Sequence, residues 1–192
     1  MRYLTVCLPL MLLAAVPARA EVVASTDSDF ATRAEADIPA DPFAVWAGLI
    51  VPAKWWSAEH TWTGKSANLY LDSQATGCFC ELLPVPEGAP EGTRRGSVEH
   101  LHIVASMPGK LLRMSGGLGP LQAEPVRGLL TITLRPGEGG TTHVTFEYKV
   151  GGLMTVKGGD IAPAVDRVLS EQLAGLAGLF LASATPAPAA AE

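Results

Sequence analysis

Cysteine is scarce in this chain: three residues in 192, Cys7, Cys78 and Cys80. One closely spaced pair beyond the extreme N-terminus is no disulfide scaffold, so a packed core must hold the fold. Positive charge is short as well. Lys and Arg total 14 against 19 Asp and Glu, a formal charge of −5, which leaves no basic footprint for nucleic acid. The longest apolar run, Tyr3 to Val16, falls short of the roughly 20 residues that cross a bilayer, so no stable membrane anchor is expected. Catalytic signatures are missing too: no G-x-S-x-G, no H-E-x-x-H, no phosphate-cradling glycine loop, and no G-x-G-x-x-G opening a helix. Gly116-Gly117-Leu118-Gly119 is followed by a proline and reads as a loop. No cofactor is therefore expected, and the chain has no internal repeat.

What is present suits one globular domain, with 48% hydrophobic and 17% charged residues. Residues 1–20 read as a secretory signal: Arg2, then the apolar run, then Ala18-Arg19-Ala20 before Glu21. The expected product is an exported protein, periplasmic or secreted. No cysteine stands at the cleavage point to carry a lipid, and loss of Arg2 and Arg19 takes the charge from −5 to −7. Residues 21–28 (EVVASTDS) read as a loose leader, 29–182 as the folded domain, and 183–192, rich in Ala and Pro, as a frayed tail.

Within the domain, Asp160 to about Ala182 forms a long amphipathic helix. Ile161, Val165, Val168, Leu169, Leu173, Leu176 and Phe180 recur at three- and four-residue steps, opposite Asp166, Arg167, Ser170 and Glu171. Asp160 is a candidate N-cap, with Pro163 in the first turn. Asp29–Ala36 reads as a first strand. Asp41 caps a short helix from Pro42, whose expected buried face is Phe43, Trp46, Ala47 and Ile50, and Ala53–His60 makes a second short turn. From Asn68 the period changes to two. NLYLD, GCFCELL, SVEHLHIVASM, KLLRMSG, RGLLTITLR and THVTFEYKV read as strands, greasy on one side and wet on the other.

The order strand, two short helices, strand meander, long helix resembles the START-like or SRPBCC superfamily. The Pro52-Ala53-Lys54-Trp55-Trp56 segment brings it nearest the polyketide cyclase-like branch and the homologues of chaperone-ATPase activators. The resemblance covers about residues 29–182. It implies an α+β helix-grip fold, in which a curved antiparallel sheet of six or seven strands grips the C-terminal helix. It also implies a cavity for a small hydrophobic molecule. A secretory signal does not suit a cytosolic chaperone activator, so that activity is not carried over.

The four tryptophans all fall between residues 46 and 62, a packing hub or a cavity wall. Trp55, Trp56, His60 and Trp62 are the expected cover of the cavity, with Leu101, Ile132, Phe146, Tyr148, Val165 and Leu169 as its lining. Glu99 shares an alternation face with Leu101 and Ile103, and Tyr148 shares one with Phe146. Both are candidates for acid–base work on a bound carbonyl compound, should the protein be a cyclase- or hydratase-like enzyme rather than a carrier. Cys78-x-Cys80 and His100-x-His102 admit three readings. A hairpin centred near residue 90 would pair Cys80 with His100 and Cys78 with His102, converging four ligands on zinc or copper, but would set Glu81 against Glu99. The cysteines could form a disulfide, or could be buried thiols without metal. Buried thiols are the expectation.

Overall fold

The computed structural model describes residues 19–181. Most of the expected signal segment and the 183–192 tail thus lie outside the described residues. Eight antiparallel strands form one sheet: β1 (Arg19–Ser25), β2 (Asp29–Ile38), β3 (Leu69–Leu71), β4 (Cys78–Leu82), β5 (Ser97–Met107), β6 (Leu111–Ser115), β7 (Val126–Pro136) and β8 (Thr142–Gly152). Their spatial order is β1-β2-β8-β7-β6-β5-β4-β3. The meander from β3 to β8 therefore ends beside β2. Helix α1 (Pro42–Leu49) and three single turns, Pro52–Lys54, Ala58–His60 and Ser66–Asn68, connect β2 to the far edge. Helix α2 (Gly158–Leu181) packs across the sheet, chiefly against β2 and β1. This is the α+β helix-grip architecture.

Alternation decides which face meets α2. Val144, Phe146, Tyr148 and Val150 of β8 are buried, as are Leu130, Ile132 and Leu134 of β7 and Leu112 and Met114 of β6. They meet Leu169, Leu173 and Leu176 of the helix, and Leu173 and Leu176 are wholly enclosed. The polar partners of each strand stay at the outer face, where Arg33 of β2 pairs with Glu147 of β8 at 3.0 Å.

Several expectations are corrected. Residues 21–25 are no loose leader: β1 pairs with β2 through Glu21↔Arg33 and Val22↔Thr32 and becomes the eighth strand. All of its side chains are exposed, so it carries none of the burial periodicity that marks a strand in sequence. Asp41 does cap α1, accepting from the N–H groups of Phe43 and Ala44. The buried face of α1, however, is Val45, Trp46 and Leu49, and Phe43 is exposed. Asp160 is not the cap of α2. The helix starts two residues earlier, and the N–H groups of Gly158 and Gly159 donate to the carbonyls of Asp27 and Thr26 in the β1–β2 turn. A Cβ at Gly158 would press on the Thr26 and Asp29 carbonyls, so only glycine lets the turn approach this closely.

Asp166 lies on the flank of α2 that faces β1. Its carboxylate lies near the Glu21 backbone, whose N–H favours the charged form, while Oδ1 is buried without a partner among the described residues. Burial, and next the Glu21 charge, push its carboxyl above the ordinary value.

Candidate functional site

The tryptophan-rich segment is fixed by its own indoles. Trp55 donates Nε1–H to the Leu49 carbonyl (3.2 Å), and Trp56 donates to the His60 carbonyl (3.0 Å). Buried Gln172 of α2 reaches across and accepts the Ser57 N–H at 2.7 Å. The segment is thereby held off the N-terminal half of α2, and a cavity of about 500 Å³ opens between them. Its helix wall is Ile161, Ala164, Val165, Val168 and Leu169. The facing wall is Trp56 and Glu59 to Trp62, the loop Leu118–Pro120 closes one end, and His100 stands among these otherwise largely apolar surfaces.

His100 is inside because the β4–β5 ladder slips. Cys78 faces His102 and Phe79 faces Leu101, but Cys80 then faces Glu99 and Glu81 faces Val98. His100 is the extra residue of a β-bulge, so it and Leu101 are both buried where strict alternation would turn one of them out. The bulge overturns the expected pairing of Cys80 with His100 and of Glu81 with Glu99. It also removes the carboxylate clash that pairing implied.

Glu81, not Glu99, is the inward acid. It is wholly buried, and its Oε1 and Oε2 accept the N–H groups of Thr63 (2.7 Å) and Trp62 (2.9 Å). Oε2 also meets His100 Nε2 at 3.1 Å. Burial alone would raise the Glu81 carboxyl, but hydrogen bonds from Thr63, the Trp62 amide and His100 outweigh it and hold the carboxyl below its ordinary value. Burial also lowers the His100 imidazole, against a partial upward pull from Glu81. The pair is therefore a carboxylate and a neutral imidazole at neutral pH. A carboxylate only accepts, so Nε2 carries the proton and Nδ1 is left as an acceptor. The amide Nε2 of Gln122 lies 3.4 Å from that Nδ1, and Gln122 Oε1 accepts the Trp62 indole N–H at 3.0 Å.

Of the residues expected at the cavity, Trp56, His60, Trp62, Val165 and Leu169 stand on its walls. His60 pairs with Glu171 of α2 at 3.1 Å beside it. Trp55, Leu101, Ile132 and Phe146 are core residues away from that wall. Tyr148 is corrected: it is wholly buried, donates to the Gly116 carbonyl (2.8 Å) and accepts the Leu118 N–H (3.2 Å). Its burial pushes the hydroxyl upward, so it anchors the 116–118 loop and offers no titrating group. Glu99 is corrected too, being more than half exposed on the outer face near His102. Nor are the cysteines free thiols: Cys78 and Cys80 form a disulfide with Cα atoms 5.5 Å apart. Since they are bonded to each other on the outer face, and His100 points inward, the four-ligand set Cys78, Cys80, His100 and His102 does not assemble. Glu81 shares the alternation face of Phe79, a signal that could have found it, whereas Gln122, in the turn before β7, carried none.

No protein-family model and no curated protein matches this sequence. Solved structures do match its fold. A protein from Rhizobium leguminosarum is 17% identical with a TM-score of 0.56, over 88% of this chain and 99% of that one. CalU16 from Micromonospora echinospora is 14% identical with a TM-score of 0.54, over 88% and 87%. A protein from Mesorhizobium loti is 18% identical with a TM-score of 0.53, over 81% and 99%. At these identities the likeness is one of fold.

Proposed function

We propose that this protein is an exported SRPBCC-type carrier of a small, mostly apolar molecule bearing one hydrogen-bond donor. The observation that carries the reading is the cavity of about 500 Å³ between α2 and the Trp56–Trp62 segment. Its size falls in the usual range for small-molecule sites, and its walls are mainly apolar. His100 supplies the polar anchor. Its Nδ1 accepts, and the long 3.4 Å contact from Gln122 is one that a ligand hydroxyl or N–H can replace. Export rests on the composition of residues 1–20.

Native mass spectrometry of protein taken from its own host tests this directly. The expected result is a 1:1 complex with a small molecule, and an environment-sensitive apolar dye should compete for the site and quench tryptophan emission. Failure of both to bind would remove the carrier reading. A second reading is favoured by the Glu81–His100 pair itself, which is arranged as a carboxylate-oriented general base. If His100→Gln keeps ligand binding but abolishes turnover of the bound molecule, the site is an enzyme's.

A further inference from the structure

We infer that the Cys78–Cys80 bridge is a thiol–disulfide exchange site on the outer face of the sheet, taking two electrons from a dithiol of another molecule. Phe79 and Glu81 point into the core, so the cysteines between and beside them point to the opposite face, away from the cavity. A bridge between residues two apart closes so short a loop that it restricts the unfolded chain little, and it is poorly suited to be a staple. The two sulfurs are not equivalent. Cys80 is buried in the ladder between Tyr70 of β3 and Glu99 of β5, whereas Cys78 is only half-buried.

The chemistry follows from that difference. An incoming thiolate attacks Sγ of Cys78, the S–S bond breaks, and Cys80 departs as a thiolate. The new anion forms close to the Glu99 carboxylate, because the two sulfurs and a Glu99 oxygen lie within 4.8 Å of one another. Like charges oppose it, so departure needs a proton. His102, opposite Cys78 in the ladder and 3.6 Å from Glu99, is the group placed to deliver one. The second thiol of the donor then attacks the mixed disulfide and releases Cys78. The donor leaves as a disulfide and the protein as a dithiol, with two electrons and two protons transferred.

Three measurements test this. The native wild-type protein should be reduced by dithiothreitol while its tryptophan emission stays that of the folded state. Cys80→Ser should form a mixed disulfide with oxidised glutathione at Cys78, and Cys78→Ser should form at least tenfold less at Cys80. His102→Ala should slow reduction of the bridge several-fold, with the unfolding midpoint unchanged. Reduction that proceeds only at the rate of global unfolding would overturn the proposal. Equal labelling of the two single-cysteine variants, or an unaltered rate of reduction in His102→Ala, would overturn it as well.

Discussion

His100 makes this protein sensitive to acid in a way its surface charge does not. Its folded-state pKa is lowered, so between that value and the ordinary value of about 6.5 the unfolded chain binds more protons than the folded one. Stability is therefore complete above about pH 6.5 and falls as the pH drops through that window. Glu81, also lowered, adds a second loss below about pH 4.3, where the unfolded carboxylate takes up its proton first. Denaturant midpoints at pH 7 and pH 5 should differ in the wild type and differ much less in His100→Gln. Glu81→Ala should cost about 3–5 kcal/mol, because it leaves the N–H groups of Trp62 and Thr63 unpaired beside a buried imidazole. Equilibrium unfolding measures that loss. Neither residue was legible as a pair in the sequence. Alternation through SVEHLHIV sets His100 with the outward residues and Glu99 with the inward ones, and a single inserted residue in the ladder reverses both. A bulge leaves no mark in a hydrophobic period of two, and here it falls where the chemistry is.

At the scale of elements, α2 was the most legible part of the chain, because its stripe repeats along the whole helix, with Leu169, Leu173 and Leu176 buried in the core and Ile161, Val165 and Val168 on the cavity wall. Leu173→Ala should cost about 2–5 kcal/mol from lost burial plus the cavity left behind. A loss below about 1 kcal/mol in urea unfolding would mean that the helix is not gripped. Gly175 sets a sharper test of how α2 meets the tryptophan segment. In an isolated helix Gly→Ala gains up to about 1 kcal/mol. Here the added methyl would run into the carbonyl of Trp55, a backbone atom that cannot swing away. Gly175→Ala should thus destabilise despite its propensity, with a changed tryptophan emission maximum as the indoles are displaced. The strand β1 was illegible for the opposite reason to α2. Its seven residues bury no side chain, and their place is decided by the hydrogen-bonding edge of β2.

For the whole molecule, the sheet, the helix and the tryptophan segment enclose a space that no one of them defines. Val165→Trp should fill much of it: the side chain sits on the cavity wall, and its added volume has room to enter. Dye affinity should fall at least tenfold while the unfolding midpoint moves little, and retained affinity would place the binding site elsewhere. The contact between Glu21 and Asp166 reaches further still. Asp166 now has a neutral amide N–H as its neighbour and keeps one oxygen without a partner. A chain cut before Glu21 would present an α-ammonium at that same nitrogen, and the neutral neighbour of Asp166 would become a cation. The Asp166 carboxyl would then move down, and the ammonium up, from their ordinary values. The gain would be present between about pH 4 and pH 8, lost in acid as the carboxylate protonates and in base as the amine deprotonates. Residues 21–192 should therefore melt above the uncut chain at pH 7, and Asp166→Asn should erase the difference. Maturation would then act as a latch, with the newborn end of the chain clasping the helix one residue from the wall of its cavity.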